Sequence, residues 1–146
     1  MVMMYLRTGR LFIYLNFFTA LLALCSCSKN TDLSELVKRK GVVYKIETGE
    51  PFTGIAVSYY GKEKKNKKKH TEYKNGLIDG IETVWHKSGE LMARKNYVKG
   101  RLHGESIRWY KNGQRKSVET YKKGKQSGRQ SYWRKDGSLI KDRIIN

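Results

Sequence analysis

The sequence predicts an all-β fold, a single-layer antiparallel β-meander of hairpin repeats, preceded by a helical signal peptide. Three observations lead there. Tyr73, Tyr97 and Tyr121 lie 24 residues apart, as do Trp85, Trp109 and Trp133. Three glycine series keep the same interval: Gly76, Gly100 and Gly124; Gly80, Gly104 and Gly128; Gly89, Gly113 and Gly137. Between the glycines lie runs of six to eight residues, such as Ile81–His86 and Leu91–Val98, which are strand lengths and too short for stable helices. A fixed period of this size marks a chain built from stacked copies of one unit.

The chain begins with Arg7 and Arg10 and no acid, followed by the apolar run 11–24, LFIYLNFFTALLAL. A basic start, an apolar run and a small-residue exit form an export signal. As a helix those residues would reach only about 21 Å, at 1.5 Å each, against a hydrocarbon core of roughly 30 Å. Both cysteines, Cys25 and Cys27, sit at the end of this run. Leu24-Cys25-Ser26-Cys27 resembles the lipobox of bacterial lipoproteins, with an aliphatic residue three before the modified cysteine and a small one just before it. The resemblance implies a signal peptide over 1–26, cleavage between Ser26 and Cys27, and diacylglycerol on the Cys27 sulfur. Residues 27–40 read as a polar tether, in which Leu33, Leu36 and Val37 have the spacing of one short helical turn.

Residues 41–146 form the repeat domain. Its copies span 73–96, 97–120 and 121–146, with a degenerate one near 44–72, where Gly54 stands for Gly80 and Tyr59 for the tryptophan. Nine of the 14 glycines lie on the lattice, many after Asn, Asp or Ser, so they mark turns. Alternation puts Ile81, Thr83 and Trp85 on one face and Glu82, Val84 and His86 on the other. Few positions are apolar on both faces, so a sandwich lacks material for its core. The ladder Tyr73, Trp85, Tyr97, Trp109, Tyr121 and Trp133 is therefore expected to supply cohesion. A buried aromatic is worth at most roughly 4–6 kcal/mol at ~25 cal/mol/Å².

YKNGLIDG, YVKGRLHG and YKKGKQSG, each followed by a tryptophan and a second glycine turn, resemble the variant MORN repeats of bacterial YwqK-type antitoxin proteins. The resemblance covers about residues 42–146. It implies antiparallel hairpins and a binding role, whereas a cytoplasmic antitoxin has no use for residues 1–27.

The net charge of +18 favours anionic partners. Six lysines crowd into eight residues: Lys62, Lys64, Lys65, Lys67, Lys68 and Lys69. They form a candidate polyanion-binding loop, weighed against a merely solvated one. No catalytic constellation is found. His70, His86 and His103 occupy unrelated repeat positions, no metal-ligand spacing occurs, and the glycines precede strands instead of opening a phosphate-binding helix. No enzyme, cofactor or metal is expected. Arg108, Tyr110, Tyr132 and Arg134, away from the tryptophans, are the surface for any ligand. Nucleic acid is not the expected partner, because export removes the domain from it. The expectation is an envelope lipoprotein, lipid-anchored and with a mild preference for the outer membrane. Its sheet would bind a protein or an anionic polymer; the alternative is an antitoxin or immunity-type protein that neutralises a toxin. The oligomeric state stays open.

Overall fold

The computed structural model describes residues 30–146. The expected leader, the expected Ser26–Cys27 cleavage and the expected lipidation of Cys27 fall outside the described residues. Nearly all of the described chain is β. The strands are β1 (Thr31–Asp32), β2 (Leu36–Arg39), β3 (Val42–Lys45), β4 (Gly54–Tyr60), β5 (Asn66–Lys74), β6 (Leu77–Trp85), β7 (Leu91–Val98), β8 (Arg101–Trp109), β9 (Arg115–Lys122), β10 (Lys125–Trp133) and β11 (Leu139–Ile145). From β4 to β11 each strand lies antiparallel beside the next, and β1 adds in parallel outside β4, completing nine strands. β2 and β3 make a separate two-stranded hairpin.

Two turn chemistries build this order. Lys40-Gly41, Asn75-Gly76, Lys99-Gly100 and Lys123-Gly124 all have positive φ at both residues, the type I′ geometry that matches strand twist. At the other ends of the strands, Gly89, Gly113 and Gly137 close wider turns by donating to the carbonyls of His86, Tyr110 and Arg134. Gly76 is there for space as well as φ. A Cβ on it would meet the Val43 carbonyl oxygen at 2.7 Å and Val42 Cγ1 closer still. Gly80, Gly104 and Gly128 fall in the bulges of β6, β8 and β10. Gly54, Gly80 and Gly104 pair with Tyr73, Tyr97 and Tyr121, and Gly128 with Ile145. Gly54 thus keeps the tyrosine pairing of Gly80 and Gly104.

The described part of the stretch expected as a tether, residues 30–40, is part of the fold. Asp32 caps a single 3₁₀ turn at Leu33–Glu35 by accepting from the Ser34 amide. Leu36 and Val37 then continue as strand, because Leu36 packs on the cluster of Val43, Phe52, Ala56 and Tyr73. The β2–β3 hairpin is thus a small second layer over the first strands. Phe52 is 1% exposed, and its ring meets Tyr73 at 5.7 Å between centroids.

The aromatic ladder is corrected in one respect. Trp85, Trp109 and Trp133 are partly buried, and among the described residues only Phe52 and Tyr73 form an aromatic pair. Residues 24 apart fall on every second strand, about 10 Å apart at ~4.8 Å per strand. Rings attract one another only within about 4.5–7 Å. The buried centre of the sheet is instead a polar row. Ala56, Thr71, Glu82, Lys95, Ser106, Glu119, Gln130 and Arg143 are successive cross-strand neighbours. Thr71, Glu82, Ser106, Glu119 and Gln130 in that row are buried. The tyrosines share this face, with Ile78 and Leu102 interleaved between them; the tryptophans follow the opposite face.

Candidate anion-binding ridge

The Lys62–Lys69 loop is a different object from the one the sequence suggested. Strand β5 begins at Asn66, so Lys67, Lys68 and Lys69 lie within a strand and alternate between its faces. Four of the six lysines have partners. Lys64 pairs with Asp32 at 2.5 Å, Lys65 with Glu63 at 2.9 Å, and Lys69 with the buried Glu82 at 2.5 Å. Lys68 lies 5.7 Å from the centre of the Tyr60 ring. The Lys64 ammonium, followed by the Ser34 amide and hydroxyl, holds the Asp32 carboxyl far below the usual carboxylate range. Only Lys62 and Lys67 lack such contacts among the described residues.

A larger unpaired group of cations stands at the type I′ turns. Three backbone hydrogen bonds hold the turns in line. Val43 donates to the Gly76 carbonyl (2.8 Å), Gly100 to that of Ile78 (2.7 Å) and Gly124 to that of Leu102 (2.8 Å). Successive sheet turns are two strands apart, or about 10 Å. Around them stand Lys38, Arg39 and Lys40, then Lys74, then Lys99 and Arg101, then Lys122, Lys123 and Lys125. All nine are exposed, and none has a carboxylate within salt-bridge distance among the described residues. The flanks of the glycine carry one, two and three cations in successive repeats. The period that located the glycines also locates this ridge; the sequence reading used it for backbone geometry alone and missed the charge.

The chain enters the sheet from the same end. β1 is parallel to β4, with Thr31 opposite Ala56 and Asp32 opposite Val57. β4 starts at Gly54, opposite Tyr73 and next to the Asn75-Gly76 turn. Asn30 therefore lies on the ridge side of Thr31.

On the tyrosine face the two buried acids, Glu82 and Glu119, are already engaged. Glu82 takes Lys69 and, at 3.4 Å, Lys95. Burial alone would raise the Glu119 carboxyl. Hydrogen bonds from Tyr121 (2.6 Å) and Ser117 (3.1 Å), with Arg108 and Gln126, outweigh that and hold it below its ordinary value. Burial pushes the hydroxyls of Tyr73, Tyr97 and Tyr121 up, and for Tyr121 the bond to Glu119 adds to it. Arg108 is thus engaged with Glu119. Tyr110 donates to the Trp133 carbonyl at 2.9 Å, and Arg134 approaches Ser138. Three of the four residues expected to form one ligand surface thus have an intramolecular role, and the fourth, Tyr132, shares a row with Arg108 through Ser117. Among the described residues no group of three or more His, Cys, Asp and Glu side chains could hold a metal ion, and no helix is long and apolar enough to cross a membrane.

No protein-family model, curated protein or solved structure matches the chain.

Proposed function

We propose that the chain is an envelope lipoprotein, anchored by diacylglycerol on Cys27, whose MORN-like sheet is a scaffold for anionic partners through the ridge of turn cations. The ridge carries the reading: nine exposed cations, none paired with a carboxylate among the described residues, stand at the turns of the sheet and its hairpin, on the side from which the chain enters. Cys27 precedes Thr31 by four residues, a reach of at most about 14 Å when fully extended. An anchored lipid would therefore hold the ridge close to the phosphate-bearing head groups. Each basic residue near such a surface contributes roughly 1 kcal/mol, and the interaction is screened beyond about 8–10 Å in physiological salt. Acyl burial, at about 0.8 kcal/mol per CH₂, supplies the anchoring itself.

Two measurements test this. Palmitate labelling of the cells should mark the chain and be lost in Cys27→Ser. Cytoplasmic residence without label would return the antitoxin reading. For the ridge, residues 28–146 are mixed with phosphatidylglycerol vesicles at low salt. Changing Lys99, Arg101, Lys122, Lys123 and Lys125 to Gln should weaken adhesion about tenfold or more. The same change at Lys62, Lys64, Lys65, Lys67 and Lys68 should matter less. Equal losses from the two variants, or none from the first, would remove the ridge from the reading.

A further inference from the structure

We propose that the outer edge of β11 takes an extended polypeptide segment of alternating acidic and apolar residues, added as a further strand. The two edges of the sheet differ. On one side β1 is two residues long, is followed at once by the 3₁₀ turn, and has its Asp32 tied to Lys64. Short strands and covering turns are how folded proteins blunt an edge. On the other side β11 runs seven residues, and among the described residues nothing pairs with its outer edge. Leu139, Ile140 and Ile144 on it are 55%, 54% and 75% exposed.

The two faces of this edge ask for different side chains. Lys141 lies opposite Tyr132 and Arg143 opposite Gln130, so both cations belong to the tyrosine face. Neither has a carboxylate within salt-bridge distance among the described residues. Leu139, opposite Trp133, and Ile144, opposite Arg129, belong to the tryptophan face. Asp142 sits between them, but Arg129 at 2.6 Å and Ser131 at 2.7 Å already engage its carboxylate. The edge thus offers two free cations on one side and two aliphatic side chains on the other. In strand addition the backbone edge supplies affinity and the alternating side chains supply specificity. A complementary strand turns carboxylates towards Lys141 and Arg143 and apolar groups towards Leu139 and Ile144.

A second copy of the chain is a poor occupant. Antiparallel pairing about a twofold axis keeps each face on its own side. It therefore sets Lys141 opposite Arg143, or one of them opposite itself. Like charges directly across a strand pair are destabilising.

The test uses the full chain in detergent and a labelled, end-capped heptapeptide alternating glutamate and valine, followed by fluorescence anisotropy. The peptide should bind, and Lys141→Glu with Arg143→Glu should weaken it about tenfold or more. The same double variant should prefer a lysine–valine heptapeptide, a reversal that mere unfolding cannot produce. Lys87→Gln with Lys111→Gln, two exposed cations at the wide turns, should leave peptide binding unchanged, which separates the edge from the net charge of the chain. The proposal falls if the charge-reversed chain binds the acidic peptide as the parent does. It also falls if a peptide N-methylated on alternate amides binds equally well, or if the chain dimerises through β11 in preference to binding the peptide.

Discussion

The first strands of the sheet and the last are held together differently. Around β4 and β5 the β2–β3 hairpin supplies a second layer, and Val43, Phe52 and Ala56 close into a small apolar core. Around β9 and β10 no such layer exists among the described residues, and the buried side chains are Ser117, Glu119, Gln130 and Ser131. They are held by hydrogen bonds: Gln130 donates to the Thr120 carbonyl at 2.8 Å, and Glu119 accepts from three side chains. One antiparallel sheet therefore tolerates two kinds of cohesion, because its turns and register are set by backbone hydrogen bonds common to both ends.

The sharpest way to separate the ends is to truncate one aromatic at each. Phe52→Ala should cost about 3–5 kcal/mol, the usual loss for a fully buried ring. Trp109→Ala removes a larger side chain from a partly exposed site. It should cost roughly half as much, since the area removed from water sets the scale. Denaturant unfolding of the two variants gives the comparison. If Trp109→Ala proved the more damaging, the apolar cap would not be the stronger end.

The turns, strand lengths and two-faced alternation were legible in the sequence because each rests on local chemistry. Asn75-Gly76 and Lys99-Gly100 need positive φ, and strands between such turns can only pair with their neighbours. The placement of the core was less legible. A tryptophan every 24 residues looks like a hydrophobic column until the strand spacing separates the rings by about 10 Å. The bulges that carry Tyr59, Trp85, Trp109 and Trp133 are set by register, which only the paired strands reveal. The pairing of the lysine run was not legible for a related reason. Its partners, Asp32 and Glu82, come from β1 and β6, and composition cannot place them. The turn cations were within reach, since Lys99 and Lys123 share the glycine period.

Acid should act through Glu119, whose carboxyl sits below the ordinary 4.5 of a glutamate. A depressed folded-state value means the carboxylate stabilises the fold at full strength above about 4.5. That contribution is lost as pH falls from there through the folded value. Glu119→Gln should flatten this part of the stability curve, measured by denaturant midpoint between neutral pH and about pH 3. An unchanged slope would mean that other carboxylates carry the acid response. Asp142, lowered by Arg129 and then Ser131, is the first to examine.

The smallest effect concerns one side chain at the wide-turn end. Tyr60 donates to the Trp85 carbonyl and Tyr110 to that of Trp133, each at 2.9 Å. His86 occupies the equivalent place between them, and its Nε2 is buried with no hydrogen-bond partner. The equivalent acceptor for it is the Trp109 carbonyl, and a phenol hydroxyl at this position is expected to reach it as those of Tyr60 and Tyr110 reach theirs. His86→Tyr should therefore stabilise the domain by about 0.5–1.5 kcal/mol, the net worth of one intramolecular hydrogen bond. His86→Phe fills the same space without the hydroxyl and separates packing from bonding. If the phenylalanine variant gained as much as the tyrosine, the rung would be short of volume and not of a donor. The correspondence between the three copies would then be one of shape alone.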